Sequence, residues 1–320
     1  MTANADGESS WRELPELSEG ARSAWDAAPP GDRLGTLRRL TPERTVAAAG
    51  LVRTGHRIRL DLPVDQPDPP LFSRAPFQRE VLQPNRVTFD DRLDGFYPQG
   101  SSQWDALGHM AHRHHGFYGG RDAKTVAEGA LGIDAASDGI VGRGVLLDVA
   151  RWAQTEGRSF DPGSPHRITP DDVLATAAAQ GTTVEPGDVW LVRTGWVSWY
   201  RRLTPAARQE VAAASRGEGA PFTAAGLWPG RPWVELLWDR GAAAVAMDNP
   251  AVDVLPSARE DGSLHGDGLA LLGLTLGELL DLDELGAACA AEGRWEFLFV
   301  AVPLLVPGGM GSPANALAIL

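Results

Sequence analysis

Short apolar runs alternating with helix-start signals constrain the fold of this chain more than any other feature of its 320 residues. Gly139–Val149 (GIVGRGVLLDV) has the core of a buried strand, and Asp188–Thr194 (DVWLVRT) follows a Pro-Gly turn signal. Ala242–Met247 and Phe297–Val306 are further apolar runs of strand length, and Arg57–Leu62 alternates as a strand does. Between them, Thr41-Pro42 and Thr169-Pro170 each place an N-cap residue before a proline suited to the first helical turn. These signals predict helices over Pro42–Val52 and Thr169–Ala178, and Pro232–Arg240 also reads as helical. Thr275–Leu285 is a further helix candidate, because Thr275 and Glu278 stand at capping-box spacing, although Gly277 weakens that first turn. Strands alternating with helices predict an α/β fold.

Residues 1–30 read as a mobile lead-in, with Trp11 and Trp25 able to pin it to the body or to a partner subunit. Residues 63–86 hold six prolines and read as an extended loop, an arm able to cross a neighbour. No repeat or composition break divides the rest, so 31–320 is expected to form a single domain behind an N-terminal arm. No run of about 18 apolar residues is present, which disfavours a membrane span. A formal charge of −13 disfavours nucleic acid and anionic lipid as partners. The single cysteine, Cys289, rules out an internal disulfide and any multi-thiolate metal site. The acidic, polar N-terminus lacks a secretory pattern, so a cytoplasmic location is expected.

Of seven histidines, four (His109, His112, His114 and His115) fall within Gly108–Gly116, just downstream of Gln99, Gln103 and Asp105. Imidazole, carboxylate and amide oxygen are all ligands for Zn²⁺, Mn²⁺ and related ions. Gly100, Ser101, Ser102 and Gly108 leave the backbone free to turn, so that side chains at 99, 103, 105 and 109 can converge. The plain alternative is a polar, histidine-rich surface loop.

The stretch Gln99 to His109 (QGSSQWDALGH) resembles the signature H-x-G-T-H-x-D-x-P-x-H of the cyclase family, which includes bacterial kynurenine formamidases and isatin hydrolases. The spacing fits without a gap. Asp105 and His109 are kept, while Gln99 and Gln103 replace the first two histidines, a form similar to that of trans-dienelactone hydrolase. Further segments are similar in order along the chain: Phe117 to Gly120, Gly142–Asp148, Pro186–Trp196, Ala246–Asp253, His265, Glu278 and Pro303–Ala316.

The resemblance implies a swivelling β/β/α cyclase-like fold and a homodimer or larger homo-oligomer. It implies a divalent metal, Mn or Zn, with Gln99, Gln103, Asp105, His265 and Glu278 as ligand candidates and His109 as general base. Amide oxygens bind metal more weakly than imidazole, which tilts the choice toward Mn²⁺ or a loosely held zinc. Glu278 equally fits an ordinary capping box, and His265 an ordinary loop position. Trp104, Phe117 and Tyr118 flank the motif and are candidates to line a pocket for a planar small molecule, though such residues are more often core. The activity implied is metal-dependent hydrolysis of a lactone, cyclic amide or formamide. The alternatives are a cyclase or lyase of polyketide-type metabolism, and a non-catalytic binding homologue whose glutamines have cost it the metal.

Overall fold

The computed structural model describes residues 7, 9–18, 20–257 and 262–320. One nine-stranded sheet is built from β1 Arg57–Arg59, β2 Gln103–Asp105, β3 Ile140–Leu147, β4 Val189–Val192, β5 Ala244–Met247, β6 Thr275–Glu278, β7 Glu296–Ala301, β8 Gly311–Pro313 and β9 Ala316–Ile319, the expected strand runs supplying β1, β3, β4, β5 and β7. Their order across the sheet is β8-β2-β6-β5-β4-β3-β7-β9-β1. The four central strands, β3 to β6, run parallel, and the flanking pairs are antiparallel. Both faces are covered, which is why the central strands carry so little polar character.

Alternation along each strand divides the interior into two cores. Val145, Leu147, Trp190, Val192, Val245, Met247 and Leu276 face one side, against Trp152, Val173, Trp233 and Leu237 of the covering helices. Leu146, Val189, Leu191, Ala244, Phe297 and Phe299 face the other, against Leu285 and Cys289 of the helix Asp283–Glu292. The helix signals at Thr41 and Thr169 work as the sequence suggests. Thr41 and Thr169 accept from the backbone N–H of Arg44 and Asp172, opening helices Pro42–Ala49 and Pro170–Gln180. No helix among the described residues is long and apolar enough to cross a membrane.

Several expectations are corrected. Thr275–Glu278 is not the first turn of a helix but strand β6, and the helix starts only at Asp283. Gly277 decides this: it lets Ala246 and Trp104 close in so tightly that an added Cβ would meet them at 2.8 and 2.9 Å. Residues 63–86 are not all loop, since Gln78–Asn85 pairs with Thr88–Asp94 as an antiparallel hairpin. That hairpin has exposed faces and cross-strand ion pairs (Arg79–Asp91 and Arg92–Glu80), so no buried stripe announces it in the sequence. Strand β7 ends at Ala301, and Val302, Leu304, Leu305 and Val306 beyond it are exposed.

Residues 11 and 24–25 bond to the body; residues 1–6, 8 and 19 lie outside the described residues. Trp11 is buried and its N–H donates to Asp239, while the Trp25 indole donates to the carbonyl of Ala270.

Candidate metal centre

Strand β2 puts Gln103 and Asp105 on one face and Trp104 on the other. The antiparallel register sets Glu278 opposite Gln103, so both side chains emerge on the same face. His265 arrives from above on the π-helix Leu264–Leu272, a wide helical turn of the kind found at functional sites. The turn is held at its start by Ser263, whose hydroxyl accepts from Gly266, and by Asp253, whose carboxylate accepts from the N–H of Leu264 at 3.0 and 3.1 Å. Val252 and Leu279, beside Asp253 and Glu278, both sit in the left-handed region at φ 55°. Such conformations are strained for side-chain-bearing residues and persist only where the surroundings impose them. Here Asn249 imposes both, accepting from Val252 N–H at its side chain and from Leu279 N–H at its carbonyl.

The result is a buried cluster. Ligand-capable atoms of Asp105, His265 and Glu278 all lie within 4.8 Å of one another. His265 Nε2 is 3.3 Å from Asp105 Oδ2 and 3.2 Å from Glu278 Oε1. Its Nδ1 lies 3.6 Å from Asp253, a carboxylate behind the ring of the kind that orients metal-binding imidazoles. The Gln103 amide nitrogen donates to Glu278 Oε2. Both carboxylate oxygens of Asp105 and the amide oxygen of Gln103 are buried without any hydrogen-bond partner.

Electrostatics follow from that crowding. Burial alone would depress His265, but Asp105, Asp253 and Glu278 outweigh it and hold the imidazole well above its ordinary 6.5. Burial, and then the like charge of Asp105, push Glu278 up. Buried oxygens without hydrogen bonds cost free energy, so the two of Asp105, beside an imidazole and a second carboxylate, fit a cation. The donor set of Asp105, His265 and Glu278 fits a divalent metal, which these three residues would hold.

The other sequence candidates fall around this cluster. His109 is partly exposed, with Nε2 3.8 Å from Asp105 Oδ1 and its ring 6.3 Å from that of His265. The Gln99 amide packs against Gly311, the register partner of Asp105, without a hydrogen bond from its side chain. Trp104 and Tyr118 are buried: the Trp104 indole donates to Ala314, and the Tyr118 hydroxyl donates to Asp32 at 2.8 Å on the wall of a cavity that no cluster residue lines. Phe117 is half-buried against the core on the π-helix side. His112 lies 3.5 Å from Asp267 and stacks on His115 outside the cluster. Asp253 escaped the sequence-based assignment of roles, although it closes the quoted segment Ala246–Asp253.

The family model described as "Putative cyclase" matches residues 51–254, more than half of the chain, and the chain belongs to that family. A crystal structure of a novel cyclase is 32% identical with a TM-score of 0.80, covering 93% of this chain and 99% of its own. Isatin hydrolase A from Labrenzia aggregata, solved with benzyl benzoate, is 18% identical with a TM-score of 0.56 over 86% of this chain and 97% of its own. An isatin hydrolase bound to the product analogue thioisatinate gives 15% identity and a TM-score of 0.54, covering 88% of this chain and 99% of its own. The expected cyclase-like α/β fold is therefore the observed one. No curated protein matches the chain.

Proposed function

We propose that the protein is a metal-dependent hydrolase that opens a lactone, cyclic amide or formamide of a small metabolite. The observation that carries this is the buried convergence of Asp105, His265 and Glu278, with both carboxylate oxygens of Asp105 lacking a hydrogen bond. These residues would hold one divalent ion, and a donor set rich in oxygen with one imidazole favours Mn²⁺ over Zn²⁺. When bound, such an ion polarises a carbonyl and acidifies water.

The chain's own residues do the rest. Gln103 and Glu278 steady one another through their hydrogen bond, and Asp253 sits behind Nδ1 so that Nε2 of His265 turns to the cluster. His109, at the accessible edge beside Asp105, takes a proton from the attacking water and delivers it to the leaving oxygen or nitrogen. Self-association belongs to the same proposal: the hairpin 78–94 exposes Val81, Val87, Phe89 and Leu93, which a two-stranded unit alone does not shield.

The test is His109→Ala on whichever member of a lactone, amide and formamide panel the wild-type protein turns over. Its kcat is expected to fall about 10²–10⁴-fold with metal content unchanged. An unchanged rate would remove the base assignment.

A further inference from the structure

Strand β5 ends at Met247, and the chain beyond it, as far as Asp253, folds around one fully buried side chain, that of Asn249. Its amide oxygen accepts the Val252 N–H at 2.9 Å. Its amide nitrogen donates to the Ala225 carbonyl at 2.9 Å and reaches the carbonyls of Val252 and Asp253, each at 3.3 Å. The loop depends on both ends of that amide. Aspartate would bring no donor to the three carbonyls, and alanine would leave the Val252 N–H buried without an acceptor.

What this loop delivers is Asp253. With Val252 held left-handed at φ 55°, the chain turns so that Asp253 lies against the short strand Gly226–Leu227. The Leu227 N–H donates to the Val252 carbonyl at 3.0 Å, and the Val254 N–H to the Leu227 carbonyl at 2.9 Å. Gly226 permits the approach, since a Cβ there would run into the Asp253 carbonyl oxygen. The main chain of Asp253 is thus pinned on two sides, and its carboxylate is directed to the Leu264 N–H and to Nδ1 of His265. Asn249 itself bonds to none of Asp105, His265 and Glu278: among the described residues its side-chain partners are Ala225, Val252 and Asp253.

We propose that Asn249 is a positioning residue of the metal centre, acting through Asp253 on the direction of the His265 imidazole. The inference rests on the metal-dependent reading of the cluster. A carboxylate behind a metal-binding imidazole keeps the proton on Nδ1 and leaves Nε2 bare for the ion. A loop that lets Asp253 drift releases the ring, and with it the one nitrogen of the donor set.

Calorimetric Mn²⁺ titration of the full chain tests it, with the absorption bands of the Co²⁺-loaded protein as a second readout of ligand geometry. Asn249→Ala and Asn249→Asp are each expected to raise the Mn²⁺ Kd about 10–100-fold, as loss of a residue supporting a metal ligand does, and to shift the Co²⁺ bands. Asp253→Asn is expected to do the same, and adding Asn249→Asp to it costs little more, because both act on one imidazole. A merely structural asparagine would add its full effect to that of Asp253→Asn. Should Asn249→Ala not fold, the isosteric Asn249→Asp carries the measurement. Wild-type Mn²⁺ affinity and Co²⁺ bands in a folded Asn249 variant, or additive losses in the double variant, overturn the inference and leave the metal-dependent reading intact. Failure of both Asn249 variants to fold also overturns it, by making the residue a requirement of the fold rather than of the centre. A wild type that takes up neither ion removes the metal-dependent reading and the inference together.

Discussion

His265 faces two opposed demands. In the metal-free protein, Asp105, Asp253 and Glu278 favour its charged form, so this stabilising contribution is complete below about pH 6.5 and lost as pH rises through the raised folded value. A metal needs the neutral imidazole and expels that proton. The apparent affinity for Mn²⁺ is therefore expected to rise about tenfold per pH unit below the folded pKa, with about one proton released per ion. Calorimetry in buffers of different ionisation enthalpy checks both numbers, and an affinity that stays flat or falls with pH contradicts the displacement. Much of this site was legible in the sequence, because Gln103, Asp105, His265 and Glu278 could be picked out by type and by family spacing. Asp253 was not assigned a role, since its place behind the His265 ring depends on the π-helix that carries His265. Trp104 shows how closeness in sequence to a ligand candidate leaves open which face of a strand a ring occupies: it lies on the face of β2 opposite Gln103 and Asp105.

At the scale of elements, the decisive case is strand β6. Its four residues read as a capping box because Thr and Glu at that spacing serve a helix start as well as two positions of a strand. What separates the two is long-range: pairing with β5 and β2 and a close approach at Gly277, none of it visible in a local window. Gly277→Val is accordingly expected to lose about 1–3 kcal/mol or more of stability through overpacking against Ala246 and Trp104. Metal affinity should fall with it, because Glu278 is the next residue. Denaturant unfolding and Mn²⁺ titration of the variant check the pair, and wild-type values in both would mean that β6 is not packed as described. The other three central strands, β3 to β5, were legible for the opposite reason: buried on both faces, they keep their apolar character in any window.

On the scale of the whole molecule, the site is assembled from distant parts of one scaffold. β2 and β6 supply the floor, the loop after β5 supplies Asp253, and the π-helix lowers His265 onto them. The N-terminal segment backs that π-helix through Trp25 on Ala270 and the Ala24 N–H on the Leu271 carbonyl, so the lead-in serves the site from behind. The central claim is that this convergence exists to hold a divalent cation. The most direct measurement is the metal content of the full chain after incubation with Mn²⁺ and gel filtration, beside Asp105→Ala. About one equivalent retained by the wild type and almost none by the variant is the predicted result, as removal of a charged ligand from a small donor set requires. Retention equal in the two proteins, or absent from the wild type with either Mn²⁺ or Zn²⁺, would contradict it.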